Sequence, residues 1–256
     1  MPFEVLLRSS WTGAEPIIRH VAGQDLRPFG LKRRIDYIPA MADLILKIGN
    51  KNYSSWSLRG WLAAKAAGLE FEEQLIRLFE DGHAETMDAE TPAGKVPVLI
   101  HGDRVIWESL AIAEYLAELA PERNMWPADA GQRARARAVS TEMATGFFGL
   151  RNQFPMNIRR RVEGLAPTPE TMRDIARIQD IWRDCLSEAK GGPYLFGPFS
   201  IADVMYAPVV FRFQGYGIEA DQTARQYMDA MLANEWIQEW TAAALQEPWI
   251  VDEDEV

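Results

Sequence analysis

The chain has little of what disulfides and metal sites require. Its single cysteine, Cys185, excludes a disulfide within the chain, and only three histidines are scattered along 256 residues. These residues show no zinc-site spacing, so we expect no metal and a reducing, cytoplasmic setting. Cys185 lies on an apolar helical stripe with Ile178 and Trp182. This position favours a core residue over a reactive thiol.

Long hydrophobic runs and an excess of basic charge are also missing. No apolar stretch approaches the roughly 20 residues that a membrane span needs. The net charge of −10 argues against a nucleic-acid partner. The basic clusters Arg133–Arg137 and Arg159–Arg161 are therefore interpreted as solvated helix faces. With 48% hydrophobic and 25% charged residues, the composition is that of a globular protein of one large or two modest domains.

Residues 1–40 differ from the rest because basic side chains outnumber acidic ones there. The segment lacks the continuous apolar core of a signal peptide and is not acid-poor as a transit peptide would be. We predict an extension that the fold does not need. The alternative is an ordered arm packed on the main body.

Residues 41–120 alternate between strand and helix patterns. The apolar run Leu44–Ile48 predicts a strand, Ser57–Gly68 a helix, and Phe71–Arg77 a second strand. Val96–Ile100 and Val105–Trp107 predict two strands around a glycine turn, and an amphipathic helix follows. The intervening helix implies a parallel first pair, and the tight turn an antiparallel pair.

The second half has only helical patterns. Residues 121–130 form a proline-containing linker, residues 131–250 are predicted to be all-helical, and residues 251–256 form an acidic tail. Ser200 and Asp203 have the spacing of a capping box, which predicts the start of a helix over Ile201–Phe213.

Two short motifs in the first half are suited to ligand binding. In Val96-Pro97, a cis bond would expose the Val96 amide and carbonyl to a ligand, but the sequence leaves cis and trans open. In Glu108-Ser109, a helix start offers free amides and a partial positive charge. Ser109 either caps this helix and meets a ligand carboxylate, or only caps it.

Together these motifs resemble the cytosolic glutathione transferases. The resemblance rests on the segments Ser54–Arg59, Lys95–Pro97, Glu108-Ser109 and Gly197–Asp203, and it runs from about Leu44 to about Trp249. The first segment is closest to the serine-type, zeta-like branch, which includes the maleylacetoacetate isomerases. The resemblance implies an α/β thioredoxin-like N-terminal domain, an all-α C-terminal domain, glutathione as co-substrate, and a homodimer.

The resemblance also assigns roles to residues. It places Ser54 at the position that holds the glutathione thiolate, with Ser55 as the alternative, and we expect Ser57 to be the helix N-cap. Lowering a thiol pKa by about two units takes about 2.7 kcal/mol, which is within reach of one hydroxyl hydrogen bond of about 1.5–3 kcal/mol. The expected glutathione contacts beyond the thiolate are Lys95, Val96, Pro97, Glu108 and Ser109.

The second substrate is expected between the domains. Candidate pocket residues are Trp56, Phe148, Arg151 and Met156. Trp56 stands where the zeta-like motif often has a cysteine, which weakens any transfer of isomerase activity. If Arg151 faces the cleft, it would suit an anionic electrophile or an unsaturated acid. The alternative is that the segment around Arg151 is a solvated helix end.

The sequence therefore predicts a glutathione-dependent transferase or isomerase that acts on a small electrophile it does not identify. One alternative is a non-catalytic interaction or stress-related protein on the same fold. Another is a thiol–disulfide oxidoreductase, which would need a cysteine where Ser54 and Ser57 stand.

Overall fold

The structure, a computed structural model, describes residues 44–78, 87–89 and 91–255, so the predicted extension over residues 1–40 lies outside the described residues. Within them, one mixed sheet has the order β2-β1-β3-β4. Its strands are β1 Leu44–Ile48, β2 Glu72–Leu75, β3 Val98–His101 and β4 Arg104–Ile106. β1 pairs parallel with β2, and β3 pairs antiparallel with β1 and β4, which confirms both predicted pairings.

Helices make up the rest of the described fold. The sheet domain contains α1 Ser55–Ala67 and α2 Ser109–Leu119, and residues 87–89 are also helical. The second half has no strand among its described residues, which confirms the predicted combination of a thioredoxin-like domain with an all-α domain. Its helices are α3 Ala130–Thr145, α4 Phe148–Gln153, α5 Pro169–Glu188, α6 Ile201–Gly215, α7 Gln222–Leu232 and α8 Glu235–Gln246.

Helix α1 lies between the sheet and the helical half. Its buried apolar side chains include Leu58 and Leu62, and it ends at Gly68, whose φ of 65° suits glycine. Arg59 reaches into the second half, where its Nε donates to the Met205 carbonyl at 2.9 Å. Helix α6 is buried on nearly all sides, as expected for a central helix that is apolar all round.

A close contact joins α1 to the Val96-Pro97 motif, and this peptide bond is cis. A Cβ placed on Gly60 would lie 2.9 Å from the Pro97 Cβ and Cγ, too close for any side chain without movement of the backbone. Glycine at position 60 therefore lets α1 approach Pro97. This contact sets the distance between the start of α1 and the Val96 backbone.

Candidate active site

The start of α1 differs from the sequence prediction. Ser54, not Ser57, is the N-cap: its Oγ accepts from the Ser57 amide at 3.3 Å. Ser57 lies within the first turn and is fully buried, and its Oγ accepts from the Gly49 amide at 2.8 Å. The prediction of Ser57 as the cap was wrong because any of the closely spaced serines has the chemistry of a cap, and the backbone turn selects the first of them.

Ser54 and Ser55 have different surroundings. The Ser54 hydroxyl donates to Ser57 Oγ at 2.7 Å, and the Ser54 residue is 8% exposed. Ser55 is the first residue of α1, and it is partly exposed. Ser54 therefore lies at the positive end of the helix with its hydroxyl already oriented, whereas the Ser55 hydroxyl has no hydrogen bond to any of the described residues.

A cavity of about 630 Å³ lies between the sheet domain and the helical half. It brings together the predicted Lys95, Val96, Pro97, Glu108 and Ser109 with the predicted pocket residues Trp56 and Arg151. It also has lining residues that the sequence reasoning missed: Ala93, Trp107, Leu110, Thr141, Ala144 and Thr145. Of these, Thr141, Ala144 and Thr145 have i, i+3, i+4 spacing at the end of α3, which places them on one helix face.

Four predicted residues do not line this cavity. Met156 is 1% exposed and packs in the core, so it cannot contact a substrate in this conformation. Phe148 is 54% exposed and lies outside the lining residues. Ser54 and Ser55 are likewise absent from its wall. The adjacent Trp56 forms the wall at this end of α1.

The polar end of the cavity has the features expected of an anion and amine site. Lys95 and Glu108 are exposed, and Ser109 is buried. Ser109 is the first residue of α2 rather than its cap, because Glu108 takes the N-cap position and makes no side-chain capping bond. The prediction of Ser109 as the cap was therefore wrong. The first amides of α2 remain unpaired within the helix, which suits a ligand carboxylate.

The opposite wall is cationic. The Arg151 guanidinium carbon lies 4.8 Å from the Trp56 ring centroid, and that of Arg59 lies 4.3 Å from the same ring. Arg151 Nη1 donates to the Gly146 carbonyl at 3.1 Å, and Arg59 Nη1 to the Ser55 carbonyl at 3.2 Å. Neither arginine forms an ion pair with a carboxylate among the described residues. The Arg59 side chain is buried, with 1% of its surface exposed.

Burial leaves this positive charge poorly compensated. It lowers the pKa of Arg59 well below the usual range, and repulsion from Arg212 and Arg151 adds to this shift. Burial, together with Arg151, also lowers the pKa of Arg212 to about 10. Arg59 Nη2 has no hydrogen-bond partner among the described residues. Arg151 lines the cavity, so an anion bound there would meet its guanidinium, which has no carboxylate partner among the described residues.

Other chemistry has less support in this part of the chain. The described residues contain no group of three or more His, Cys, Asp or Glu side chains that would hold a metal ion. None of the described helices is both long enough and apolar enough to cross a membrane. Cys185 is buried, and burial raises the pKa of its thiol to about 11, which fits the predicted core role.

The fold defines a two-domain protein, with a cavity between a thioredoxin-like domain and an all-helical domain. The model of the glutathione S-transferase N-terminal domain matches residues 53–119, and that of the C-terminal domain matches residues 168–244. The chain belongs to the glutathione S-transferase family, and it is a glutathione-dependent enzyme of the transferase or isomerase type.

Curated relatives match about two thirds of the chain. A probable maleylacetoacetate isomerase from Caenorhabditis elegans is 28% identical over 170 residues, which cover 64% of this chain and 76% of the relative. Glutathione S-transferase 1 from Dianthus caryophyllus is 29% identical over 168 residues, which cover 64% of this chain and 75% of the relative.

Solved structures share the fold. A glutathione transferase homolog from Burkholderia, solved with bound glutathione, has a TM-score of 0.63 at 21% identity and covers 80% of this chain and 99% of its own. Glutathione transferase Omega 3C from Trametes versicolor has a TM-score of 0.60 at 20% identity and covers 81% of this chain and 90% of its own.

Proposed function

We propose that the enzyme holds glutathione as a thiolate on Ser54 and directs it at an electrophilic carbon of a small anionic substrate. The observation that carries this proposal is the position of Ser54 as N-cap of α1, beside the cavity residue Trp56. Glutathione supplies the nucleophilic sulfur. The chain binds it, orients it and stabilises its negative charge.

The energies at the start of α1 are sufficient for this role. A hydroxyl hydrogen bond to a charged group contributes about 1.5–3 kcal/mol, and a helix N-terminus adds about 0.3–1 kcal/mol. Their sum covers the roughly 2.7 kcal/mol needed to lower a thiol pKa by two units. When the Ser54 proton turns toward sulfur, the Ser57 hydroxyl can donate back to Ser54 Oγ across their 2.7 Å contact.

The remaining glutathione contacts follow from the cavity wall. Lys95 attracts the glycine carboxylate, and the Val96 backbone next to Pro97 pairs with the cysteinyl unit. Glu108 accepts from the γ-glutamyl amino group, and Ser109, with the first amides of α2, meets the γ-glutamyl carboxylate. All five residues line the one cavity, which supports their joint assignment.

The cationic wall supports an anionic electrophile. Arg151 lines the cavity beside Trp56, and burial lowers the pKa of its guanidinium. A substrate carboxylate on Arg151 would supply the counter-charge that the protein does not provide among its described residues. Some relatives are named maleylacetoacetate isomerase, and an unsaturated acid of this kind fits such a wall.

Family membership also supports a homodimer, which sedimentation of the purified protein would test. It supports a cytoplasmic location as well. Calorimetry with millimolar glutathione tests the proposed contacts, since the catalytic account requires binding and an absence of binding would contradict it.

The serine assignment is tested by matched variants. Ser54→Ala should raise the pKa of the bound glutathione thiol by about one to two units, because the hydroxyl contributes about 1.5–3 kcal/mol of anion stabilisation, and should lower kcat/KM by about 10- to 100-fold at pH values below the thiol pKa. Ser55→Ala, the matched control, should change either value less than about threefold. Wild-type turnover in Ser54→Ala, or the larger loss in Ser55→Ala, would contradict the assignment.

A further inference from the structure

The loop between β1 and α1 is held mainly by residues far away in the sequence. This loop carries Ser54 at its end, and its internal contacts include the Ser54 amide, which donates to the Asn50 carbonyl at 2.8 Å. The Lys51 carbonyl accepts from Trp240 Nε1 at 3.0 Å, and the Asn52 carbonyl accepts from the Ile158 amide at 3.3 Å. Connecting loops are mobile unless such contacts hold them.

The strongest of these contacts come from the segment that follows α8. Glu247 Oε1 accepts from the Lys51 amide at 2.7 Å, and its Oε2 accepts from the Asn52 amide at 2.9 Å. One carboxylate therefore holds two consecutive loop amides across 195 or more positions of sequence. Hydrogen bonds from amides to a carboxylate are about twice as strong as neutral ones.

A second acidic side chain extends the same contact. Glu255 Oε1 accepts from the Tyr53 hydroxyl at 2.6 Å, and its Oε2 accepts from Arg160 Nη1 at 2.9 Å. Arg159 links the β1–α1 loop to the segment after α8, because its Nη2 donates to both the Tyr53 hydroxyl and the Trp249 carbonyl. The sequence predicted only an acidic tail over residues 251–256. The described part of this segment contacts the β1–α1 loop, which carries Ser54.

We infer that Glu247 is a positioning residue: by holding the Lys51 and Asn52 amides, it fixes the turn that places the Ser54 hydroxyl against the glutathione thiolate. The inference rests on the proposed role of Ser54. Glu255 supports the same turn through Tyr53. The catalytic power of the first domain then depends on a carboxylate from the C-terminal end of the chain.

The direction in which a Glu247 substitution shifts the thiol pKa of bound glutathione separates a positioning role from charge repulsion. A carboxylate near a thiolate raises the thiol pKa by repulsion, so removing only its charge would lower that pKa. Losing the loop's anchor has the opposite sign, because Ser54 then spends less time in the orientation that stabilises the thiolate. Glu247→Ala removes both acceptors, and Glu247→Gln keeps one acceptor oxygen without the charge.

The experiment uses the full chain and titrates the thiol of bound glutathione by its thiolate absorbance, together with kcat/KM. Glu247→Ala should raise the thiol pKa by about one unit and lower kcat/KM by about tenfold at pH values below the thiol pKa, where the thiolate fraction falls tenfold per unit. Glu247→Gln should show a smaller change of the same sign. Glutathione affinity by calorimetry should change less than threefold, because the cavity contacts remain.

The matched control is Glu239→Gln, which makes the same charge change in α8. Glu239 pairs with Lys65 near the C-terminal end of α1 at 2.7 Å, away from Ser54. We expect wild-type thiol titration in this variant. An unchanged or lowered thiol pKa in Glu247→Ala would overturn the inference, even if that variant melts at a lower temperature.

A double variant distinguishes failure of this inference from failure of the serine assignment. In the Ser54→Ala background, Glu247→Ala should not raise the thiol pKa further, since Glu247 positions the thiolate site through Ser54 and only its charge repulsion is left to lose. An additive effect would overturn the positioning role. If Ser54→Ala alone titrates like the wild type, the proposed function fails, whatever the Glu247 variants show.

Discussion

Ser54 has two roles to reconcile. Its Oγ caps α1 through the Ser57 amide, and its proton goes to Ser57 Oγ. An oxygen can accept from the amide while its own proton turns to a new acceptor, so capping and thiolate binding are compatible. Ser57 Oγ then no longer accepts the Ser54 proton and can donate its own proton to Ser54 Oγ in return. Glutathione binding therefore redirects the two hydroxyl protons and leaves the helix start intact.

Arg151 provides the residue-scale prediction on specificity. Arg151→Gln should lower kcat/KM for a carboxylate-bearing electrophile by about 10-fold or more, because one charge-assisted contact of about 1.5–3 kcal/mol is lost. The loss should be absent for a neutral ester of the same electrophile. Steady-state kinetics on the acid and ester pair make the comparison.

The control for Arg151 is Arg161→Gln, which removes an arginine outside the cavity whose Nη2 donates to Gln214 Oε1. It should leave both substrates unaffected. Equal losses for acid and ester in Arg151→Gln would show that Arg151 shapes the pocket without binding the carboxylate.

At the scale of the elements, strands and helices were predictable wherever the hydrophobic pattern agreed with the residues that begin or end an element. The run Leu44–Ile48 was predicted with the bounds that the structure has. The all-helical prediction for residues 131–250 gave no helix break near residue 146, whereas the structure ends α3 at Thr145 and begins α4 at Phe148, and the intervening Phe147 has a φ of 57°. A non-glycine residue in the left-handed region has no reliable sequence signal, so this break was not predictable.

Asp203 at the start of α6 is the element-scale prediction. Its carboxylate accepts from the amides of Leu195 and Ser200, and the capping box predicted from the sequence is present. Burial raises its pKa to about 6, although these hydrogen bonds favour the ionised form. Asp203→Ala should lower the free energy of unfolding by about 3 kcal/mol, because buried donors lose their acceptor.

Asp221→Ala is the matched control for Asp203. Asp221 caps α7 through the Ala224 amide at 2.8 Å in a more exposed setting. Its loss should cost about 1 kcal/mol, typical of a surface cap. Urea unfolding of both variants makes the comparison, and equal costs would show that burial adds nothing to the α6 cap.

At the scale of the whole molecule, the contacts between the β1–α1 loop and the segment after α8 could not be predicted from the sequence. The Glu247 carboxylate accepts from the backbone amides of Lys51 and Asn52. No periodicity or local motif encodes a pairing over so long a separation. The resemblance to a family indicated the two domains and the motif order, but the anchoring of the loop required three-dimensional placement.

The short 3₁₀ turn Asp252–Asp254 gives a prediction on pH. Burial raises the pKa of Asp254 to about 6 from an ordinary 3.8; Arg212 opposes this shift, and Glu253 and Glu255 add to it. Between these values the folded state holds more protons than the unfolded state, so the carboxyl's contribution to stability falls as pH rises from about 4 to about 6. Asp254→Asn removes this loss.

Measurements of the free energy of unfolding at about pH 4 and pH 7 test this predicted loss of stability with rising pH. Relative to the wild type, Asp254→Asn should gain free energy of unfolding as the pH rises. Asp252→Asn makes the same charge change at an exposed position on the same turn, so it should show no such gain. A gain in both variants would assign the effect to overall charge.

The central claim is that Ser54 holds the thiolate, and a crystal structure of the glutathione complex tests it most directly. We predict the sulfur within hydrogen-bond distance of Ser54 Oγ, with the glycine carboxylate near Lys95 and the γ-glutamyl group at Glu108 and Ser109. A sulfur bound to Ser55, or to neither serine, would contradict the account.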